Sequence, residues 1–348
     1  MDYTEEYINN SVMIEEKKKS LCEWSEQKFS SFSSLTTYKE VVDIRNKNRI
    51  YGLSKNDYKE VQVKIKKQNC FLQYNYIYDK ISGTQIPLKD LVISANHNPN
   101  RYHALIQNRI NTLSNEAKEK NLSPIFMTLT LPSEFHKMKM DKKTKALIPN
   151  PKYNHVAPKE AVKHLTKMFS RLRHDRSLKQ LTKDERIYFR VNEPHKNGTP
   201  HTHILLFVPK SSIDRVVTAF KRLFDNKAND IQTDIKNATS YIMKYINKTL
   251  PLSKKENLST KDKYLNAWYC KHRIIRFNCS RTLAPLSLYR LLHEKFNLKE
   301  LTTLVKKKSL AIFVLQTNRN KIMEIFFGDE LIYQRSENYS LKNGLLDF

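Results

Sequence analysis

The sequence predicts an α+β fold in which helices pack on an antiparallel sheet of the ferredoxin-like type. Two observations support this prediction. Apolar, β-branched runs at residues 123–132, 186–193 and 201–209 are typical of buried strands. The segments between and after these runs carry apolar residues at helical spacing. The resulting order is β-α-β-β-α-β-α, which is the split βαβ pattern.

Local signals predict the individual elements. Pro132 closes the first strand, and a loop containing Asn197 and Gly198 joins the next two strands into a hairpin. Helices are expected at about 98–120, from Pro158 onward, from Ser211 or Ser212 onward and at 236–249, with a short strand near 230–235.

The remaining segments lie on either side of this pattern. Residues 1–115 are expected to form an N-terminal accessory region of mixed strand and helix, including a helical N-terminal extension. Within it, residues 61–80 begin with strand-like alternation of β-forming residues. We place the central domain at 116–252 and a basic C-terminal extension with a small hairpin at 253–348.

The charge of the chain indicates a polyanionic partner. Its 348 residues include 62 Lys and Arg against 35 Asp and Glu, which gives a formal net charge of +27. Nucleic acid is the first candidate, because the excess charge is spread along the chain and fits a purely electrostatic membrane binder less well. The chain has only five glycines and no phosphate-binding Gly-rich loop, which argues against ATP-driven motor chemistry.

Cysteine usage predicts a reducing compartment. Cys22, Cys70, Cys270 and Cys279 are widely separated and form no zinc-binding or disulfide pattern. No apolar stretch of about 18 residues is present, and the first thirty residues lack the apolar run of a secretion signal. We therefore expect a protein of the cytoplasm without a membrane partner.

Two histidines on the second hairpin strand form a candidate metal site. His201 and His203 are two residues apart, so both imidazoles project from one face of the strand. An H-x-H triplet alone is more often incidental. A carboxylate from the neighbouring strand, Glu193, is the predicted third ligand, with His195 as the alternative.

The length of the hairpin loop decides whether Glu193 can reach the metal. A strict two-residue turn would pair Glu193 with Thr202 and place it on the wrong face. An odd-length loop or a bulge would correct this. Pro194 and Pro200 cannot donate ladder hydrogen bonds, which favours a wider loop.

A second group of functional residues lies on the predicted helix at 236–249. Tyr241 and Tyr245 are four residues apart, and Lys244 and Lys248 each follow a tyrosine by three residues. At helical pitch all four side chains share one face, although tyrosines on such a helix are often only core residues. A metal, a tyrosine nucleophile and a lysine that stabilises negative charge are together sufficient for phosphodiester transfer.

Several ordered motifs resemble one known family. They are ISANHNPNRYHALIQNRI, FMTLTLPSEFH, NPKYNHVAPKEAVKHL, EPHKNGTPHTHILLF, YIMKYINK and AWYCKHRIIRF, spread over roughly residues 60 to 300. The chain thereby resembles the bacteriophage replication gene A family, within the HUH endonucleases that initiate rolling-circle replication. This resemblance implies an HUH endonuclease fold, which is ferredoxin-like or RRM-like, for the domain at 116–252.

The resemblance also implies an activity. It implies a single-strand DNA endonuclease and ligase that holds Mg²⁺ or Mn²⁺ at His201, His203 and a third ligand. One of Tyr241 and Tyr245 would carry a 5′-phosphotyrosine and leave a 3′-OH for a host polymerase, while the other would cut the regenerated origin. The implied partners are single-stranded or locally melted origin DNA, a host helicase and a host polymerase in the bacterial cytoplasm.

Further residues are expected to support the sheet or to contact DNA, and other functions stay open. Thr128 and Thr130 are expected to support the active-site sheet, and Arg273 and Arg276 to contact the DNA backbone. Thr202 departs from the bulky apolar residue common between the histidines, but it faces away from the metal. A transposase or conjugative relaxase uses the same chemistry, and a non-catalytic origin-binding protein is the alternative from another class.

Overall fold

The protein has a mixed α+β fold of antiparallel sheets and helices. The computed structural model describes residues 49–141, 143–144, 147–253, 257–315, 321–336 and 338–343. The predicted helical N-terminal extension lies almost wholly outside these residues. Within the described parts, none of the helices combines the length and apolar character needed to cross a membrane.

A five-stranded antiparallel sheet forms the centre of the molecule. Its strands have the order β8-β3-β7-β6-β9, so β7 lies in the middle with β3 and β6 on either side. The strands are β3 (Leu122–Thr130), β6 (Ile187–Pro194), β7 (Pro200–Pro209), β8 (Asp230–Gln232) and β9 (Phe277–Cys279). The three predicted strands, the hairpin and the short fourth strand are all confirmed.

Each face of this sheet is covered by helices. Side chains alternate along β7, so Leu205 belongs to one core and Leu206 to the other. The first face packs against α3 (Pro99–Glu119) and α7 (Ala238–Thr249), and the second against α4 (Pro158–His174) and α6 (Ile213–Leu223). His201 and His203 share the face of Leu205, which is the face that α7 covers.

Smaller elements surround the central sheet. Before α3 lie α1 (Lys55–Gln73), β1 (Asn75–Asp79), β2 (Gln85–Pro87) and α2 (Leu88–Leu91); between β3 and β6 lie β4 (Met138–Met140), β5 (Leu147–Pro149) and α5 (Arg176–Lys179). The C-terminal part contains α8 (Thr260–His272), α9 (Leu286–Leu292), α10 (Leu298–Lys306), β10 (Leu310–Leu315), β11 (Lys321–Phe327), β12 (Glu330–Gln334) and β13 (Tyr339–Asn343).

The strand-like alternation predicted at the start of 61–80 is wrong, because α1 occupies this segment as far as Gln73. Ser54 and Asp57 form a reciprocal capping box that begins the helix. Val61, Ile65 and Leu72 then lie on one helical face, and Val61 and Leu72 are buried. Val61 and Ile65 fit both strand-like alternation and the i, i+4 spacing of a helix. The sequence pattern is therefore ambiguous, and burial of this face in the fold favours the helix.

The C-terminal part is larger than the predicted hairpin. Strands β10, β11 and β12 form a three-stranded antiparallel sheet, and β13 pairs with β1 near the other end of the described chain. The core on the α7 face contains Ile106 and Ile110 from before residue 115 and Leu298 and Leu301 from after residue 252. The domain boundaries at these two positions stay predictions.

Candidate metal and nucleophile site

The hairpin of β6 and β7 places a carboxylate beside the histidine pair. Its connection runs from His195 to Thr199, and Glu193 pairs directly with His201. Paired residues share a face, so Glu193 lies on the side of His201 and His203. The connection therefore has the odd length that the sequence required for this placement.

Three potential metal ligands meet at this point. Oε2 of Glu193 lies 3.9 Å from Nε2 of His201 and 3.8 Å from Nε2 of His203. The two Nε2 atoms are 3.0 Å apart, and ligand atoms from all three residues lie within 4.8 Å of one another. Two imidazoles and one carboxylate form a donor set that suits a divalent cation. Among the described residues, this is the cluster of His, Cys, Asp and Glu that could hold a metal ion.

Burial keeps the two imidazoles neutral. It lowers the pKa of His203 to about 3 and holds the pKa of His201 well below its usual value, with neighbouring imidazoles and Lys248 adding to the effect. Neutral imidazole is the form that ligates metals. Oε1 of Glu193 is buried without a hydrogen-bond partner in the structure. An unpaired carboxylate oxygen beside two neutral imidazoles fits a cation at this position.

A threonine on the neighbouring strand orients His203. Thr128 pairs with His203 across β3 and β7, and its Oγ1 lies 3.1 Å from Nδ1 of the imidazole. With the proton on Nδ1, the ring donates to the hydroxyl and leaves Nε2 unprotonated, as metal ligation requires. Thr130 pairs with His201, and its amide donates to Oδ1 of Asn229 at 2.8 Å. Both threonines therefore lie at the positions where support was predicted.

The tyrosines of α7 lie on the same side of the sheet. The ring of Tyr245 is 4.0 Å from the His203 ring, centroid to centroid, and packs against Phe126. Tyr241 is 6.0 Å from Tyr245 and its hydroxyl donates to Oε1 of Gln232. Burial, followed by the contact with Tyr241, raises the pKa of Tyr245 above its ordinary value. Tyr245 is therefore a protonated phenol next to the candidate ligands.

The two lysines of α7 are placed differently. Nζ of Lys248 lies 2.5 Å from Oε2 of Glu193, so this lysine reaches the site. Lys244 is exposed and makes no ion pair within the described part of the chain. The structure thus brings together Glu193, His201, His203, Tyr245 and Lys248. The chemical roles predicted for these five residues, and for Tyr241 and Lys244, stay predictions.

The structure places one residue that the sequence did not single out, His136, beside His195, the alternative third ligand. His195 lies 4.2 Å from His201 between ring centroids, outside the three-residue cluster, and 5.4 Å from His136. The amide of Asn197 contacts the His136 ring at 3.1 Å, which ties this histidine to the hairpin loop. No spacing in the sequence links His136 to residues about sixty positions later. The contact arises only from the fold.

The hairpin apex is held by the N-terminal part and by α8. Gly198 has a φ of +88°, and a Cβ at this position would collide with the carbonyl of Tyr51. Nε1 of Trp268 donates to the Gly198 carbonyl at 3.0 Å, and Trp268 is fully buried. The loop that sets the register is therefore fixed by its surroundings.

The predicted DNA contact of Arg276 is wrong. This residue is buried; its guanidinium donates to the Thr249 carbonyl and to Oδ1 of Asn266, and it stacks over Tyr269 at 4.0 Å. These protein groups use the donors that a phosphate would need. Arg273 is exposed at the C-terminal end of α8 in a left-handed conformation, so its predicted DNA contact stays a prediction.

Comparison with known proteins places this chain in a family. The family model described as bacteriophage replication gene A protein matches residues 8–252, which is more than half of the chain. The chain belongs to the bacteriophage replication gene A protein family. No solved structure matches this chain.

Relatives in this family carry names from phage replication. The chain is 30% identical over 220 residues to the replication protein of Haemophilus phage HP1, covering 57% of this chain and 26% of the relative. It is 30% identical over 186 residues to the replication gene A protein of Escherichia phage 186, covering 48% and 25% respectively. It is 28% identical over 221 residues to a probable replication endonuclease from a prophage-like region of Salmonella typhi, covering 56% and 26%. The chain spans about a quarter of the length of these relatives.

Proposed function

We propose that this protein is an HUH-type initiator of rolling-circle replication with a ferredoxin-like catalytic sheet, and that it nicks and rejoins single-stranded origin DNA. The observation that carries this proposal is the position of the Tyr245 ring, 4.0 Å from His203 in the Glu193, His201 and His203 cluster. A nucleophile next to a metal-binding cluster is the arrangement that phosphodiester transfer requires.

Glu193, His201 and His203 would hold Mg²⁺ or Mn²⁺. Such an ion would withdraw charge from the scissile phosphate and orient it. The neutral imidazoles and the unpaired Oε1 of Glu193 support this assignment. Thr128 would keep His203 in the ligating orientation through its contact with Nδ1.

Tyr245 would be the attacking group. Its phenolic oxygen forms a bond to phosphorus, the bond from phosphorus to the 3′-oxygen breaks, and the 3′-oxygen takes up a proton while the phenol loses one. The products are a 5′-phosphotyrosine and a free 3′-OH. Because burial raises the pKa of Tyr245, nearby positive charge must offset the cost of its deprotonation. The ammonium of Lys248 supplies such a charge from the same helix.

The second tyrosine would allow the strand to be rejoined. Tyr241 lies one helical turn before Tyr245 and on the same side of the sheet. While one tyrosine holds the 5′ end, the other would cut the regenerated origin so that the displaced strand closes into a circle. Host polymerase and helicase would act on the nicked product in the bacterial cytoplasm.

Membership in a phage replication family favours this reading over a transposase or a conjugative relaxase. A non-catalytic origin-binding protein is separated from it by experiment. The protein and Mn²⁺ are incubated with end-labelled single-stranded oligonucleotides that tile the region carrying its gene, and covalent adducts are detected after denaturation.

The expected result is a denaturation-resistant adduct that requires Mn²⁺ and disappears in the double variant Tyr241→Phe, Tyr245→Phe. His203→Ala should lose cleavage and keep most DNA binding, which depends on phosphate contacts. An adduct formed by the double variant would contradict the assigned nucleophiles. DNA binding by the wild type without any adduct would support the non-catalytic alternative.

A further inference from the structure

A second candidate site lies outside the metal cluster, in a cavity of about 350 Å³ between α1 and α8. We call it the basic pocket. Val61, Ile65 and Ile274 contribute apolar lining. The charged and polar lining comes from Lys64, Gln68, Asn96, Arg273 and Arg276. An apolar pocket with a few convergent polar groups is the usual form of a ligand site.

Three polar side chains at the basic pocket have no partner among the described residues. Lys64, Gln68 and Arg273 are exposed, and within the described residues their side chains make no hydrogen bond or ion pair. Two cations therefore lie beside one apolar cavity without a carboxylate to neutralise them. A ligand that combines an anionic group with a flat apolar ring matches this lining.

The basic pocket is joined to the strand that carries Glu193. The Tyr269 hydroxyl donates to the Asn192 carbonyl at 2.6 Å, and the Asn192 amide donates to the Arg276 carbonyl at 2.9 Å. The Asn192 side chain also donates to the Ile275 carbonyl at 2.8 Å. Asn192 directly precedes Glu193. The wall of the pocket is therefore hydrogen-bonded to the residue next to a candidate metal ligand.

We propose that the basic pocket binds one nucleotide of the single DNA strand that crosses the metal site, a proposal that rests on the proposed function. The base packs on the apolar wall, Lys64 and Arg273 contact its phosphates, and the Gln68 amide bonds the base edge. Contacts to the base combined with contacts to the phosphates are how proteins bind single strands. The pocket thus fixes the position of the strand relative to Tyr245.

Binding of DNA by charge variants tests this proposal. Fluorescence anisotropy with a labelled, mixed-sequence single-stranded oligonucleotide is measured across a series of KCl concentrations, in the Tyr241→Phe, Tyr245→Phe background. The variants are Lys64→Ala and Arg273→Ala, singly and together. Lys66→Ala is the matched control, because Lys66 is an exposed lysine on the opposite face of α1. Circular dichroism and Tm check that every variant folds.

The double pocket variant is expected to bind about tenfold more weakly, with the slope of log K against log salt reduced by about 0.7 for each lost phosphate contact. Lys66→Ala should bind like its parent. Equal losses in Lys66→Ala and the pocket variants would overturn the proposal, because net charge alone would then explain them. Displacement of the oligonucleotide from the pocket by free deoxynucleoside monophosphate at comparable affinity would also overturn it.

The two proposals fail in distinguishable ways. If the wild-type protein forms the tyrosine adduct and the pocket variants keep their full affinity for DNA, the proposal for the pocket is wrong and the proposed nuclease activity stands. If the wild-type protein forms no adduct and the pocket variants bind the strand more weakly, the proposed nuclease activity is wrong and the pocket stands as a binding site for single strands.

Discussion

The ammonium of Lys248 lies 2.5 Å from Oε2 of Glu193, a carboxylate that is only 1% exposed. Burial raises the pKa of Glu193, and Lys248 opposes this change. The contact joins α7, which carries the tyrosines, to β6, which carries the carboxylate. Lys248 and a bound cation would therefore share the same carboxylate group.

Replacing Lys248 with Met should change stability, metal affinity and nicking rate in different directions. Without metal, the free energy of unfolding of the variant should be lower by about 1 kcal/mol. The loss is small because the lysine of this ion pair is half-exposed. Its Mn²⁺ affinity should rise several-fold, since a positive charge leaves the site, while nicking slows by about tenfold. Calorimetry, Tm and single-turnover nicking measure the three effects. Lys221→Met, which replaces an exposed lysine of α6 on the other face of the sheet, is the control and should change none of them. Weaker Mn²⁺ binding by Lys248→Met would contradict the prediction.

The two tyrosines should contribute unequally to the first cut. Tyr245 lies against His203, whereas Tyr241 lies farther along α7 and bonds Gln232. Tyr245→Phe should slow the first nicking step by at least about a hundredfold, and Tyr241→Phe by less than about fivefold. Quenched single-turnover reactions on a labelled oligonucleotide measure this difference. Equal rates for the two variants would show that either phenol reaches the phosphate.

Thr128→Val should weaken metal binding. The change removes the hydroxyl next to Nδ1 of His203 while keeping the shape of the side chain. Loss of such an outer hydrogen bond typically costs about 10-fold to 100-fold in metal affinity. Titration calorimetry with Mn²⁺ measures the loss. The control is Thr130→Val, two residues along the same strand, where the described hydrogen bond uses the backbone amide. A normal affinity in Thr128→Val would remove this threonine from the site.

Acid should destabilise the fold partly through His272. Burial, with Lys271 and Lys137 nearby, lowers the pKa of His272 to about 4 from an ordinary value of 6.5. Between these pH values His272 is protonated in the unfolded chain and neutral in the folded protein. The free energy of unfolding therefore falls as the pH drops from about 6.5 to 4. In His272→Gln, the slope of stability against pH in this window should be smaller by up to about 1.4 kcal/mol per unit.

Urea unfolding at a series of pH values checks this expectation. His174→Gln, which replaces an exposed histidine at the end of α4, serves as the control. An unchanged slope in His272→Gln would mean that this histidine takes up a proton as readily in the folded protein as in the unfolded chain.

The hairpin apex should tolerate no side chain at Gly198. Gly198→Ala combines a left-handed backbone, at φ +88°, with a collision against the Tyr51 carbonyl, and should cost about 3 kcal/mol or more. Gly83→Ala is matched in backbone, at φ +70°, but nothing lies near its new methyl group, so it should cost about 1 kcal/mol. Chemical denaturation gives both values. Similar losses would show that Tyr51 moves aside freely.

The sequence predicted most of the elements that position the site. Apolar runs located β3, β6 and β7, and helical spacing located α3, α4, α6 and α7. The sequence left the register of Glu193 open, because it depends on loop length. The connection has five residues, which places Glu193 opposite His201, and contacts from Tyr51 and Trp268 hold it in position. These contacts come from distant segments, which local pattern cannot reveal.

Two residues show why the rest could not be predicted. Arg276 lies in the segment AWYCKHRIIRF, after the tyrosine helix, and a DNA contact was expected there, yet its guanidinium is buried among protein acceptors. His136 has no motif around it and comes near His195 only through folding. In both cases long-range packing decides the surroundings of the side chain, and periodicity carries no record of it.

The position of the candidate ligands in the sheet limits which parts of the site can move. His201 and His203 lie on the middle strand, and Glu193 lies on a strand that is also hydrogen-bonded on both sides. These three side chains therefore have a rigid base. The two phenols are separated along α7 by about 6 Å of helix rise. In a two-tyrosine cycle, the exchange of one nucleophile for the other must then come from displacement of α7 or advance of the DNA, while the three candidate ligands stay in place.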